Sequence, residues 1–400
     1  MTEKKRILFI SHHGTMSGAP ISLLTLMKHF AANRDWEFQV LMRKEGPLRS
    51  EFEKLAPTHV YYQHFLDPAD MRPEGAKRPP LPEDVRRRKF RQWRHEQRLR
   101  LKLRQFKPDL VYSNTTVNGD LLAKLGIKAP TLIHVRELWT TIALYNQVQL
   151  NAFKQPDYKY FAVSEFVRNY LKDTFSIAHE RIGIVPGSIE PEVFDKKAED
   201  LTVGEMRKEL ALPEDAVIIG GLGSVDSRKG VDYFVDTALD VLRSEPKGRP
   251  VYFVWIGDGG MRQDMLKKVE DAGFSGRVVF PGARKNPYPY LKLFEIGLMT
   301  SRDDPFPRSV MEMAAFGAPI ICFKGSGGAA EFVLDDAGIV LDDFSAADMA
   351  DAVRSILAND AAKAAFAIAA RRKAREDYET TRIGESAAML LDEMMASARS

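Results

Sequence analysis

Four hundred residues with 44% apolar and 28% charged side chains suit two or three globular domains, not a disordered or fibrous chain. A net charge of only +3 supplies no general field for nucleic acid, and the single cysteine, Cys322, excludes an internal disulfide. No stretch approaches the roughly 18 uninterrupted apolar residues of a membrane-spanning helix.

The chain opens MTEKKRILFISHHG, basic but with a short apolar run, which reads as a strand and not as a secretory signal. With one cysteine, a reducing cytoplasmic setting is the expectation, at most peripheral on the inner face of a membrane. Ile7 to Ser11 has the continuous apolar character of a central parallel strand. A loop, His12 to Pro20, leads into a helix from Ile21 to Ala32, with Ser17-Gly18-Ala19-Pro20 as the helix start. Gly18 permits close approach of a ligand to the backbone, or marks a plain turn. His12 and His13 are acceptor contacts or ordinary loop residues. Strands follow at Trp36–Met42 and Val60–Gln63, and residues 67–85, rich in Pro and charge, read as a loop.

Val85 to Phe106 is the most biased segment. Ten Arg or Lys residues lie between Arg86 and Arg104, interleaved with Phe90, Trp93, Leu99, Leu101 and Leu103. Such a helix suits an anionic membrane surface through residues 86–104, or packs one face and leaves a solvated basic one. No nucleic-acid motif accompanies the charge, so nucleic acid is not expected as a partner. Further strands are expected at Asp109–Asn114, Thr131–Val135, Tyr160–Ser164 and Ile182–Pro186.

Residues 188–215 are polar and helix-prone, a linker into a second domain where the pattern restarts. Strand Ala216–Leu222 runs into the loop Gly223-Ser-Val-Asp-Ser-Arg228-Lys229-Gly230 and a helix, Val231–Leu242. Gly221-x-Gly223 starts like a dinucleotide fingerprint, but Asp226 holds the third glycine position. Strands are expected at Val251–Gly257, Val278–Pro281, Ile296–Thr300, Pro319–Phe323 and Gly338–Leu341. Helices are expected at Tyr288–Phe294, through Ala346–Ala374 and at Tyr378–Arg399. Cys322, inside an apolar strand, reads as an inert core thiol.

The most informative stretch is Ser301 to Glu331. Asp304 sits in a Pro-rich turn, Glu312 in the helix after it, and Gly327-Gly328 precede a second helix start at Glu331. Helix starts attract anions through free N–H groups and the dipole. An ionised carboxylate accepts hydrogen bonds from a vicinal diol. Together these point to a nucleotide-linked sugar. The plainer alternatives are a turn aspartate and a capping box at Ser309–Glu312.

Asp304-x7-Glu312, the Gly-Ala-Pro-Ile strand, Gly-Gly-x-x-Glu331 and Lys229-Gly230 together resemble the retaining glycosyltransferases of family 4. The first acid is Asp where that family usually has Glu, Pro307 replaces a common Gly, and Ser224 stands at its Arg position. The resemblance implies an α/β GT-B fold, two doubly wound Rossmann-like domains facing a cleft, with a C-terminal helix crossing back to the first domain. The implied boundaries are 1–190, 191–378 and 379–400. It implies transfer from a nucleotide-diphosphate sugar to a glycan or lipid-linked acceptor, with retention and with neither metal nor other cofactor. Lys229 and Arg228 would hold the diphosphate, Glu312 the ribose and Asp304 the sugar hydroxyls. Gly327, Gly328 and the amides of Arg308 and Ser309 would line phosphates and sugar. Gly282 and Arg284 would lie toward the base, Glu331 on the donor side, and Gly18 and a catalytic His134 would approach from the first domain. A catalytically silent binding protein and a nucleotide-sugar epimerase are the rivals on the same fold.

Overall fold

The computed structural model describes residues 4–61, 82–244 and 248–397. Among them, two all-parallel sheets are built. The first holds β1 (Lys5–Ser11), β2 (Trp36–Met42), β3 (Thr58–Val60), β4 (Leu110–Ser113), β5 (Thr131–Val135), β6 (Lys159–Ala162) and β7 (Ile182–Ile184), in the order β3-β2-β1-β4-β5-β6-β7. The second holds β8 (Val217–Leu222), β9 (Val251–Ile256), β10 (Val278–Gly282), β11 (Ile296–Met299), β12 (Ile320–Phe323) and β13 (Gly338–Leu341), in the order β10-β9-β8-β11-β12-β13. The apolar runs read as parallel strands are covered on both faces, as such strands must be. Successive Cβ atoms point to opposite sides, so Ile7 and Phe9 enter one core while Leu8 and Ile10 enter another. Ile218 and Ile219 divide in the same way in the second lobe.

Strand order reverses between β1 and β4 and again between β8 and β11. The crevice outside the strand ends at such a reversal is where open parallel sheets bind ligands. In the first lobe it gathers the residues after Ser11, Asn114 and the start of helix Gly18–Asn33. In the second it gathers the loop from Gly223 to Gly230 and the stretch from Thr300 to Asp304.

The chain crosses between lobes at Ile189 and returns at Tyr378, and the two crossings are tied together. Ile189 N donates to Tyr378 O at 3.0 Å and Thr380 N donates to Ile189 O at 2.9 Å. The last helix, Thr380–Ser397, buries Ile383, Ala387, Leu391 and Met395 in the first-lobe core. Gly384 allows this approach, because a Cβ there would lie 2.5 Å from the His29 ring.

One expectation needs correction. Residues 82–85 belong to a helix, Pro82–Phe106, because Pro is well suited to a first turn. Residues 62–81, the rest of the expected loop and the end of the expected third strand, lie outside the described residues. The polar linker contains two short helices, Pro191–Lys197 and Val203–Glu209, the second closed by a Thr202–Glu205 capping box. The basic helix packs one face on the first lobe, as the second of its two readings expects. Leu99, Leu103 and Phe106 are buried against the first sheet, while Phe90, Trp93 and Leu101 are exposed, the first two with ring centroids 5.8 Å apart.

Candidate functional site

Lys229 is held at the second reversal point by glycines. Gly230 has φ +65°, and a Cβ on it would lie 2.0 Å from Thr300 O, so no other residue fits without displacing β11. Thr300 Oγ1 donates to Lys229 O at 2.9 Å, and Lys229 N donates to Asp226 Oδ1 at 2.8 Å. The lysine stem then crosses Gly223, whose Cβ would lie 3.1 Å from Lys229 Cε. Of the glycines that began like a dinucleotide fingerprint, Gly223 thus clears a path for this side chain, while Gly221 makes room for Trp255. Ser224 donates to Asp226 Oδ2 at 2.6 Å, which fixes the loop.

The amine lies 2.5 Å from Asp304 Oδ2 in a nearly buried ion pair. Arg228 Nη1 is 3.8 Å from the same oxygen and donates to Asp303 O at 3.0 Å. Asp304 is clamped by its own backbone: its N–H donates to Ser326 O at 2.7 Å, and a Cβ on Gly327 would lie 2.0 Å from Asp304 O. The Pro-rich turn and the Gly-rich loop are thus one structure. Gly328 N donates to Pro305 O at 3.1 Å, so that amide joins the two loops.

Glu312 is not part of a capping box. Its helix runs Arg308–Ala315 with Pro307 as N-cap and no side-chain cap. Arg308 Nε donates to Glu312 Oε1 at 2.8 Å and Tyr288 OH donates to the same oxygen at 3.3 Å. Burial and the facing Glu312 push the Tyr288 hydroxyl up to about 12. Burial works against the Arg308 charge, but Glu312 and Tyr288 outweigh it and raise its pKa. Among the described residues Glu312 Oε2 and the amides of Arg308 and Ser309 have no hydrogen-bond partner, which leaves an acceptor and two donors together at one helix start.

His134 is the principal correction. It is fully buried, and both ring nitrogens are engaged inside the first lobe. Nε2 lies 2.9 Å from the carbonyl of Val185 and must donate to it. Nδ1 must then accept, and Tyr112 OH lies 2.5 Å away. Burial, with Arg136 beside it, holds the ring pKa well below the usual histidine range, so it is a neutral core residue and not a group facing a substrate. Arg136, two positions on, is only partly buried. Its Nε donates to Asn114 Oδ1 at 3.1 Å, and Asn114 Nδ2 donates to Ala19 O at 2.8 Å in the first turn of the Gly18–Asn33 helix. A charged pair straight after a strand end, Arg136-Glu137, was the available signal.

The lobes meet around these groups. Thr140 N donates to Asp303 Oδ2 at 2.8 Å, and Ser164 Oγ donates to Pro305 O at 2.9 Å. Glu331 accepts from Glu165 N at 2.8 Å and Phe166 N at 2.6 Å, so its carboxylate caps a first-lobe helix, Glu165–Phe175, in place of the expected donor contact. Arg284 is occupied by Glu209, Pro281 O and Tyr290, and Gly282 O accepts from Gly257 N. Gly18 is open, with nothing within 4 Å of a Cβ built on it. His12 lies against His13, and burial pushes it down to about 3. Cys322 is buried and its thiol is pushed up to about 12, as an inert core residue should be.

The family model described as Glycosyltransferase Family 4 matches residues 16–193, and that described as Glycosyl transferases group 1 matches residues 203–373. The lipopolysaccharide core biosynthesis glycosyltransferase LpsE of Rhizobium meliloti is 28% identical over 163 residues, 40% of this chain and 45% of that protein. The alpha-D-kanosaminyltransferase of Streptomyces kanamyceticus is 28% identical over 157 residues, 38% of this chain and 39% of that protein. The chain thus matches under half the length of each. Among solved structures, Anabaena HepE in complex with UDP superposes with a TM-score of 0.74 at 18% identity, covering 97% of this chain and 100% of that one. WaaG, a glycosyltransferase involved in lipopolysaccharide biosynthesis, gives 0.68 at 16%, covering 96% and 99%. With one model on each lobe and the two-sheet architecture shared throughout, the chain belongs to the family 4 glycosyltransferases of GT-B fold.

Proposed function

We propose that the protein moves a sugar from a nucleotide-diphosphate donor to a glycan or lipid-linked acceptor in the assembly of a cell-surface polysaccharide, with retention of configuration. The observation that carries this is the Lys229–Asp304 pair at 2.5 Å, beside a helix start that offers two partnerless amides and the open Oε2 of Glu312. In this reading the diphosphate takes Lys229 and Arg228, and Asp304, released from the lysine, accepts from sugar hydroxyls. Glu312 Oε2 accepts from the ribose diol, and the amides of Arg308 and Ser309 meet phosphate or sugar oxygens. The bond from the anomeric carbon to diphosphate oxygen breaks as the acceptor oxygen bonds to that carbon on the same face. The acceptor proton passes to the departing diphosphate, so no protein nucleophile is required. Negative charge building on the leaving group is met by cationic side chains, and metal independence belongs to the proposal. LpsE, WaaG and the UDP-bound HepE lend it support through their printed descriptions.

The test is release of nucleoside diphosphate from a panel of nucleotide sugars, with a chelator present, compared with Lys229→Ala. Release lost in the variant supports the proposal. No release from any donor would leave the silent binding protein, and an epimerised product without acceptor would leave the epimerase.

A peripheral membrane contact is part of the same reading, supported by the exposed Phe90, Trp93 and Leu101 amid basic residues. No helix among the described residues is long and apolar enough to cross a membrane. Vesicles of phosphatidylglycerol should pellet the protein. Neutralising Arg86, Arg87, Arg88, Lys89 and Arg91 should release it, and unchanged pelleting would remove this contact from the account.

A further inference from the structure

Arg136 is a first-lobe guanidinium that makes no ion pair among the described residues, although the neighbouring Glu137 acts on its charge through space. Its described side-chain partners are Asn114 Oδ1 at 3.1 Å, His134 Nδ1 at 3.2 Å and the Tyr112 hydroxyl, all neutral. The nearest acid, Glu137, turns its carboxylate to the backbone N–H of Arg136 at 3.0 Å and to Thr116, and among the described residues no acid lies within ion-pair distance of the guanidinium. A charge so placed is costly unless something pairs with it.

Its position names what that is. Leu138, two residues on, has Cδ1 3.4 Å from where a Gly327 Cβ would stand, and Thr140 N donates to Asp303. Arg136 therefore stands on the segment that closes against the Asp303–Asp304 turn. The second-lobe cations there already have partners: Arg228 and Lys229 both face Asp304, and Arg308 pairs with Glu312. A diphosphate entering that set adds negative charge that it does not offset.

We infer that Arg136 is a substrate-binding cation that reaches the donor's diphosphate from the opposite lobe and completes its charge complement. The inference rests on the transferase reading above. Its consequence is that full diphosphate affinity requires both lobes together. An arginine presented across an interface to departing phosphate is chemically suited to that task, since its fork binds two oxygens and stays charged when dry.

The experiment is calorimetric titration with UDP, UMP, GDP and GMP of the intact chain and of Arg136→Gln and Arg136→Lys, each first shown to melt cooperatively. The inference expects Arg136→Gln to weaken the nucleoside diphosphate about tenfold or more while the matching monophosphate changes little, with Arg136→Lys restoring part of the difference. A diphosphate-to-monophosphate ratio unchanged in Arg136→Gln overturns it, as does equal weakening of both ligands, which a merely structural arginine would produce. If neither diphosphate binds the unsubstituted chain, the transferase reading fails first and this inference with it.

Discussion

The two walls of the cleft are built on different principles. On the second lobe, cation and carboxylate face each other at rest: Lys229 with Asp304, Arg308 with Glu312, both held by glycines or a helix start. On the first lobe, Arg136 sits among neutral partners, and a half-exposed Trp139 rests on Phe166 and Tyr170 at ring distances of 6.0 and 6.2 Å. The second-lobe wall is self-neutralised at rest, so under the proposed function a ligand must exchange one partner for another. The first-lobe side carries an arginine without an ion pair among the described residues and a half-exposed tryptophan, so under the inference above a ligand adds a partner.

The sharpest way to break this contrast is at Lys229. Lys229→Ala should lower donor turnover by about a hundredfold or more, because the leaving-group charge loses its nearest cation. Measured nucleotide release within a few-fold of the unsubstituted protein would make the two walls equivalent. Gly230→Ala should be next. Strain at φ +65° and the clash with Thr300 O should cost roughly 1–3 kcal/mol in urea unfolding. Turnover should fall as Lys229 moves, and a fully stable, active Gly230→Ala would refute the glycine argument.

Glu312→Gln sharpens the donor side further. The ribose contact should be lost chiefly in binding, so donor KM should rise about tenfold with a smaller change in kcat. A 2′-deoxy donor should lose that difference between the two proteins. At the interface, Glu331→Gln should cost about 1 kcal/mol in thermal or urea unfolding, since the amides of Glu165 and Phe166 lose a charged cap from the other lobe.

The last prediction belongs to the first wall and is a matter of pH. Burial raises Glu137 from its ordinary 4.5 to about 7. A folded carboxyl with a raised pKa binds more protons than the unfolded chain. Its contribution to stability is therefore fully present below about pH 4.5 and is lost as pH rises toward 7. Glu137→Gln should flatten that part of the stability profile, and an unchanged slope between pH 4.5 and 7 would contradict the assignment.

How much was legible in the sequence follows the same division. The parallel strands were readable because both faces of each are covered, which writes them as apolar runs. Lys229-Gly230 and Asp304-x7-Glu312 were readable because their geometry is fixed within a loop and a helix turn, so spacing along the chain reports spacing in space. Arg136 was not, because its meaning comes from Asn114, His134 and the second lobe, residues far away in sequence. His134 was misjudged for the complementary reason: a strand-end histidine looks the same in sequence whether it points to a cleft or, as here, is tied to Tyr112 and Val185. Gly328 and Glu331 show the limit of motifs, for their pattern is present while their hydrogen bonds join loops and lobes.

The most direct measurement is a crystal structure of the intact chain with whichever of UDP, GDP, ADP or dTDP raises its melting temperature most. The account predicts the Lys229 amine on a phosphate oxygen and no longer on Asp304, with Glu312 Oε2 on the ribose hydroxyls. A nucleotide bound away from both side chains, or no nucleotide bound at all, would contradict it.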